Sequence, residues 1–136
     1  MTMLQNHSVE MRLQRPRRFV DEERFGLSET ERFEIESARA GLRRGAQKFK
    51  EALLPGLYLR TQESYAAIVE SATAFMDAKT ALLRLAARHQ DNDELEAVLI
   101  HAARRSADME ERAVKIERIK RPGKSVQLEL TSRFQK

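Results

Sequence analysis

The sequence predicts an all-α protein of three long helices, with short strand-like segments at both ends. Two observations predict the helices: apolar residues recur every three or four positions over long stretches, and only 5 glycines and 3 prolines occur in 136 residues. A third observation, the alternation of apolar and polar residues near each terminus, predicts the strands. These patterns divide the chain into an arm with a short strand and a basic segment over residues 1–27, a helical bundle over 28–121 and a strand-like tail over 122–136.

The first helix is predicted to begin at Ser28. Ser28 and Glu31 have the spacing of a capping box, in which the serine hydroxyl accepts from a backbone amide and the glutamate bonds back to the cap. Gly41 and Gly45 leave two alternatives, because they either permit close approach of another helix or divide this one into two. Pro55 ends the helix, since proline lacks a backbone donor. The apolar stripe comprises Ile35, Ala38, Leu42, Ala46, Phe49 and Leu53.

The second helix is predicted to run from about Leu57 or Thr61 to His89. Its length, about thirty residues, is long for a small monomer, because it corresponds to about 45 Å. The main stripe predicted to be buried comprises Tyr65, Ile68, Ala72, Phe75, Leu82 and Ala86. Three more apolar residues are expected to widen this stripe: Val69, Met76 and Leu83.

The third helix follows a turn at residues 91–93 and is predicted to end near Arg121. Asp93 and Glu96 have the spacing of a second capping box. Because the turn is short, the second and third helices are predicted to form an antiparallel hairpin. His101 is expected to face close to the core. The stripe comprises Leu95, Val98 or Leu99, Ala102, Met109, Ala113 and Ile116, and the core of the whole bundle is predicted to contain Leu42, Phe49, Ile68, Phe75, Leu82, Leu99 and Met109.

Both ends of the chain alternate apolar and polar residues, which is typical of strands. A two-stranded ribbon by itself is marginal in water, so these segments require a partner. They are predicted either to pair with each other or to add to a neighbouring chain. The alternative is that both ends are disordered. The predicted docking residues are Val9, Met11 and Leu13 in the arm and Val126, Leu128 and Leu130 in the tail.

Composition restricts the classes of function. Charged residues make up 34% of the chain, yet the net charge is only +4, because 25 basic residues are nearly balanced by 21 acidic ones. The absence of cysteine excludes disulfides, thiolate metal sites and cysteine nucleophiles. The first residues contain no signal-peptide h-region, and no segment approaches about 18 consecutive apolar residues, so we expect a cytoplasmic protein, or one inside a particle assembled there, without a membrane partner.

The leading functional hypothesis is a non-catalytic assembly or adaptor module. Three Ala-rich helices of unequal length leave faces for other subunits, so we expect a homo-oligomer that docks onto a larger complex. Small size and high charge favour a phage or mobile-element setting. No known catalytic or nucleotide-binding motif occurs, and the acidic residues near 91–96 fit helix capping better than metal binding, so no catalytic residue, cofactor or metal is expected.

Two alternatives remain open. The first is a nucleic-acid-binding accessory protein whose cations hold phosphates without reading bases. The second is an enzyme whose site is not readable from the sequence. The residues expected to contact phosphates are Arg15, Arg17 and Arg18 in the arm and Arg39, Arg43, Arg44 and Lys48 in the first helix.

Overall fold

Three antiparallel helices form the part of the chain described by the computed structural model, residues 25–121. Helix α1 spans Glu29–Leu53, α2 spans Gln62–Arg88 and α3 spans Asp93–Lys120. The middle helix, α2, packs along α1 on one side and along α3 on the other. The helical prediction is therefore confirmed for these residues, whereas the predicted terminal strands lie outside them and remain predictions.

The helix starts follow from local capping chemistry. The Ser28 hydroxyl accepts from the backbone N–H of Glu31, which confirms the predicted capping box. Thr61 caps α2 in the same way, so the later of the two predicted starts is the observed one. The capping box predicted at Asp93 is wrong: the side chain of Asn92 accepts from the backbone N–H of Leu95 at 3.2 Å, which makes Asp93 the first helical residue.

Helix α1 continues without a break through both of its glycines. A Cβ atom at Gly45 would lie 2.7 Å from the ring of Phe75, so only glycine fits against this ring. The Ser71 hydroxyl donates to the carbonyl oxygen of Gly45 at 2.7 Å. Of the two alternatives for this segment, close approach of another helix is thus the one observed.

The core consists of two clusters that each draw on all three helices. Four predicted core residues are buried, Ile68, Phe75, Leu82 and Leu99, while Leu42, Phe49 and Met109 are half-buried against the clusters. The expectation that His101 faces close to the core is wrong, because its side chain is exposed. The neighbouring Ala102 and Ala103 occupy the buried positions instead.

Candidate interaction surface

A narrow stripe of uncharged side chains runs along the solvent-facing side of α2. Three large side chains that were expected to widen the buried stripe lie outside it: Val69 is 38% exposed, Met76 44% and Leu83 46%. That expectation is wrong for a geometric reason. Successive helical residues are about 100° apart, and the side of α2 that contains Ser71, Phe75 and Leu82 faces the core, so residues on the opposite side remain in solvent.

We define the outward face as a set of seven α2 residues separated alternately by three and four positions. This spacing repeats every seven residues, as in the contact seam of a coiled coil. Large and small side chains alternate along it. Its members are Ala66, Val69, Thr73, Met76, Thr80, Leu83 and Ala87, of which all except the half-buried Thr80 are exposed.

The outer helices present a different surface. Asp, Glu, Lys and Arg occupy 6 of 27 positions in α2, but 11 of 25 in α1 and 13 of 28 in α3. The outward face of α2 contains none of them. A water-exposed helix normally has its charged residues on the exposed side. Exposed apolar residues arranged in a contiguous patch, as here, mark surfaces for protein association.

A second apolar surface lies at the α1–α2 connection. We call residues 54–59 the apolar loop. Leu54 and Tyr58 are each 75% exposed, and Leu57 and Leu59 are exposed as well. At the level of sequence, Pro55 indicates only the end of a helix here. The signal that was available is the presence of four large apolar residues in a turn, where polar residues are usual.

A buried lysine fixes the backbone of the apolar loop. The ammonium group of Lys120, at the end of α3, donates to the carbonyl oxygens of Gly56 and Leu59, the latter at 2.7 Å. The side chain is fully buried, and the loss of hydration lowers the pKa of Lys120 below its ordinary value. The backbone of the apolar loop is thus bonded to α3, while the apolar side chains of the loop remain exposed to solvent.

The basic residues predicted in α1 are paired with carboxylates. Arg39 is buried and donates to Glu36 at 2.6 Å, and Arg43 lies 3.4 Å from the same carboxylate. Arg44 and Lys48 each lie 3.5 Å from Glu70 of α2.

Lys48 also lies 3.2 Å from Glu51, and the hydrogen bond to that carboxylate raises the pKa of Lys48 above its ordinary value. The fold thus brings the four α1 cations together with negative charges. A surface of this kind does not favour phosphate binding, which requires a positive potential.

Two side-chain contacts connect α1 to the far end of α2. His89 bonds to Glu31, and Arg88 donates to Glu34. The hydrogen bond with His89 is the main cause that lowers the pKa of Glu31 below its ordinary value of 4.5. These contacts fasten the helix ends and form no open site.

The remaining predicted site residues lie outside the described part of the chain. They are Val9, Met11, Leu13, Arg15, Arg17, Arg18, Val126, Leu128 and Leu130. Between residues 25 and 121 there is no group of three or more His, Cys, Asp or Glu side chains arranged to hold a metal ion. None of the helices α1 to α3 is both long and apolar enough to cross a membrane.

Comparison of the chain with protein-family models, with curated proteins and with solved structures finds no match. Function is therefore inferred from the surfaces of the molecule.

Proposed function

We propose that this protein is a non-catalytic helical assembly module that associates with copies of itself and docks onto a larger complex. The observation that carries the proposal is the outward face of α2, where Val69, Met76 and Leu83 are exposed at seven-residue spacing. Removing such a stripe from water stabilises an association, because each apolar side chain buried contributes free energy in proportion to its area. The self-associating surface is therefore α2.

The apolar loop supplies the second half of the proposal. It lies at one end of the bundle, whereas the outward face runs along the side, so one molecule can use both surfaces at once. Lys120 holds the loop backbone in place, and a fixed loop loses less conformational entropy on binding than a mobile one. Leu54 and Tyr58 are the most exposed of the large apolar side chains in residues 25–121. We assign them to the contact with the larger complex.

The first test is the mass of the full chain by light scattering at about 0.1 M and about 1 M salt. We expect a mass above the 15.7 kDa of one chain that persists at the higher salt concentration, since apolar contacts are not screened by ions. A monomer at every concentration measured would contradict the proposal. Absorbance at 260 nm on the same peak tests the nucleic-acid alternative, which predicts bound nucleic acid at low salt and its release at high salt.

The second test places a charge in the middle of the outward face. Met76→Glu should convert the protein to a monomer with unchanged helix content by circular dichroism. Ala97→Glu is the matched control, because it adds the same charge to an exposed position of α3. If Met76→Glu keeps the wild-type mass, α2 is not the self-associating surface.

The apolar loop is tested by the double variant Leu54→Ser, Tyr58→Ser. We expect its mass to equal that of the wild type, because the loop serves a different contact. A loss of self-association in this variant would place the loop in the same interface as α2 and remove its assignment to a second partner.

A further inference from the structure

We propose that the self-association is an antiparallel pairing of α2 with α2 of a second copy, around a two-fold axis at the level of Ala78 along the helix. This inference rests on the proposed function, since it specifies the geometry of the same surface. Two independent features of the outward face carry it: the alternation of side-chain sizes and the arrangement of charges beside it.

The sizes alternate in a way that suits interdigitation. On the outward face the large residues Val69, Met76 and Leu83 are separated by threonines, and an alanine lies at each end of the set. In the antiparallel register each large residue meets a small one. Val69 lies over Ala87 of the second copy, Met76 over Thr80, and Leu83 over Thr73.

A parallel pair in register gives the opposite result. Large residues then meet their own equivalents, and the Ala and Thr layers between them leave gaps. Close-packed contacts are more stable than contacts with gaps, because each void removes dispersion contacts.

Charges beside the outward face select the same register. Glu70, Asp77 and Arg84 recur every seven residues on the side of α2 that faces α1. In the antiparallel pair this side meets its own equivalent, so Glu70 faces Arg84 of the second copy, and the contact occurs twice. No ion pair joins Arg84 to another residue of the described range 25–121, whereas Glu70 already lies 3.5 Å from Arg44 and from Lys48 of its own chain, so Glu70 is shared between these contacts. The parallel pair instead brings Arg84 next to Lys79 of the second copy, whose charge is compensated by Glu110 of its own chain, so this orientation lacks the attraction between Arg84 and Glu70.

Two like-charge approaches occur near the axis of the antiparallel pair. Lys79 approaches Lys79 of the second copy, but each is already neutralised by Glu110 of its own chain at 2.5 Å. Asp77 approaches Asp77 and has no ion-pair partner among the described residues. Because Asp77 is exposed, water and salt screen this repulsion. It is the weakest contact of the interface and hence a position at which a substitution should strengthen it.

Cysteine cross-linking distinguishes the two orientations, and the natural chain has no cysteine to interfere. The two variants are Val69→Cys and Ala87→Cys, one of which has a purification tag so that mixed dimers differ in mass. Under mild oxidation we expect a disulfide-linked dimer when the two variants are mixed and none from either variant alone. Ala97→Cys, on α3, is the control for random collision.

The outcomes separate this inference from the function on which it rests. If each variant links to itself, the helices are parallel and only the antiparallel geometry is overturned. If the mixture forms no cross-link although light scattering gives a dimer, the register is overturned. A monomeric wild type overturns the proposed function together with the geometry.

Charge reversal provides a second, reciprocal test. Arg84→Glu should weaken the antiparallel dimer by about 2–10-fold in dissociation constant, because Glu70 then meets a carboxylate. In a parallel dimer the same change should leave the dissociation constant unchanged to within about two-fold, because the introduced carboxylate would meet a Lys79 that is already paired with Glu110. Asp77→Asn should strengthen the antiparallel dimer by a few-fold. An association that Arg84→Glu does not weaken, or that Asp77→Asn weakens, would overturn the antiparallel pairing.

Discussion

The two seams along α2 use different means to hold the helices together. The seam with α1 depends on small residues: Gly45 lies against the ring of Phe75, and Ser71 donates to the backbone carbonyl of Gly45. The core cluster shared with α3 contains large side chains, among them Leu82 and Leu99. The first seam therefore tolerates no added volume at Gly45, and the second tolerates no loss of volume at its large side chains.

The largest expected effect is at the leucine-rich core. Leu99→Ala should lower the free energy of unfolding by about 2–5 kcal/mol, because it leaves a cavity among buried residues. Urea denaturation followed by circular dichroism measures this change. Leu83→Ala removes the same atoms from the outward face and should cost less than about 1 kcal/mol in dilute protein. Equal effects of the two substitutions would contradict the assigned burial.

The two glycines of α1 should respond with opposite signs to the same substitution. Gly45→Ala places a Cβ 2.7 Å from Phe75 and should destabilise the protein by about 1–3 kcal/mol through overpacking. At Gly41 the nearest atom to an added Cβ is the carbonyl oxygen of Ala74 at 3.6 Å, an ordinary contact. Gly41→Ala should therefore stabilise the protein by up to about 1 kcal/mol through helix propensity. Thermal unfolding of both variants checks the pair, and destabilisation by both would show that the seam is tight along its whole length.

A smaller effect is expected at the buried lysine. Lys120→Met should lower the free energy of unfolding by about 1 kcal/mol, because it leaves the carbonyls of Gly56 and Leu59 without their donor but also removes a buried charge. Chemical denaturation gives the change, and limited proteolysis at the apolar loop shows whether the loop opens. Arg118→Met is the control, because Arg118 is an exposed cation of the same helix end. A loop equally protected in both variants would contradict the anchoring role.

Alkaline pH tests the same lysine without a further substitution. Because the folded state lowers the pKa of Lys120, the unfolded state binds the proton more strongly between the lowered value and the ordinary value of 10.5. The contribution of Lys120 to stability should therefore improve as pH rises through that range. Denaturation at increasing pH should show the free energy of unfolding of the wild type rising relative to that of Lys120→Met. A difference between the two proteins that stays constant with pH would count against the burial of the charged form.

The smallest effect concerns the contact between Glu31 and His89. The lowered pKa of Glu31 means that its ionised form stabilises the folded state, so the contribution is present above the ordinary value of 4.5 and is lost as pH falls below it. Glu31→Gln should cost less than about 1 kcal/mol near neutral pH, and the difference from wild type should shrink in acid. Glu29→Gln is the control, since Glu29 is an exposed residue of the same turn. A difference that stays constant from neutral pH into acid would show that Glu31 acts without its charge.

Much of the fold could be predicted because its causes are local. Ser28 and Glu31 cap α1 through atoms three residues apart, and the periodic apolar residues identified all three helices. The predicted N-cap at Asp93 was wrong for a reason that is also local. Asn92 and Asp93 are both good capping residues, and the backbone conformation selects Asn92. The close approach at Gly45 could not be predicted, because it depends on Phe75 of another helix.

The candidate surface was less predictable for a related reason. Val69, Met76 and Leu83 have the composition of core residues, and periodicity alone does not say how many sides of a helix are covered. Only the positions of α1 and α3 leave these residues in solvent. The pairing of Arg44 and Lys48 with Glu70 similarly joins residues of two helices, so the sequence indicated a basic face that the fold neutralises.

By itself, the sequence determined the class of fold, the three helices and most of their ends, because hydrophobic periodicity and capping act within a few residues. The tertiary structure decided which sides of the helices are exposed, which glycine is sterically required and which charges are neutralised. These properties depend on contacts between residues far apart in the chain. The physical reason is that burial is a relation between helices, whereas helix formation is largely a property of each segment.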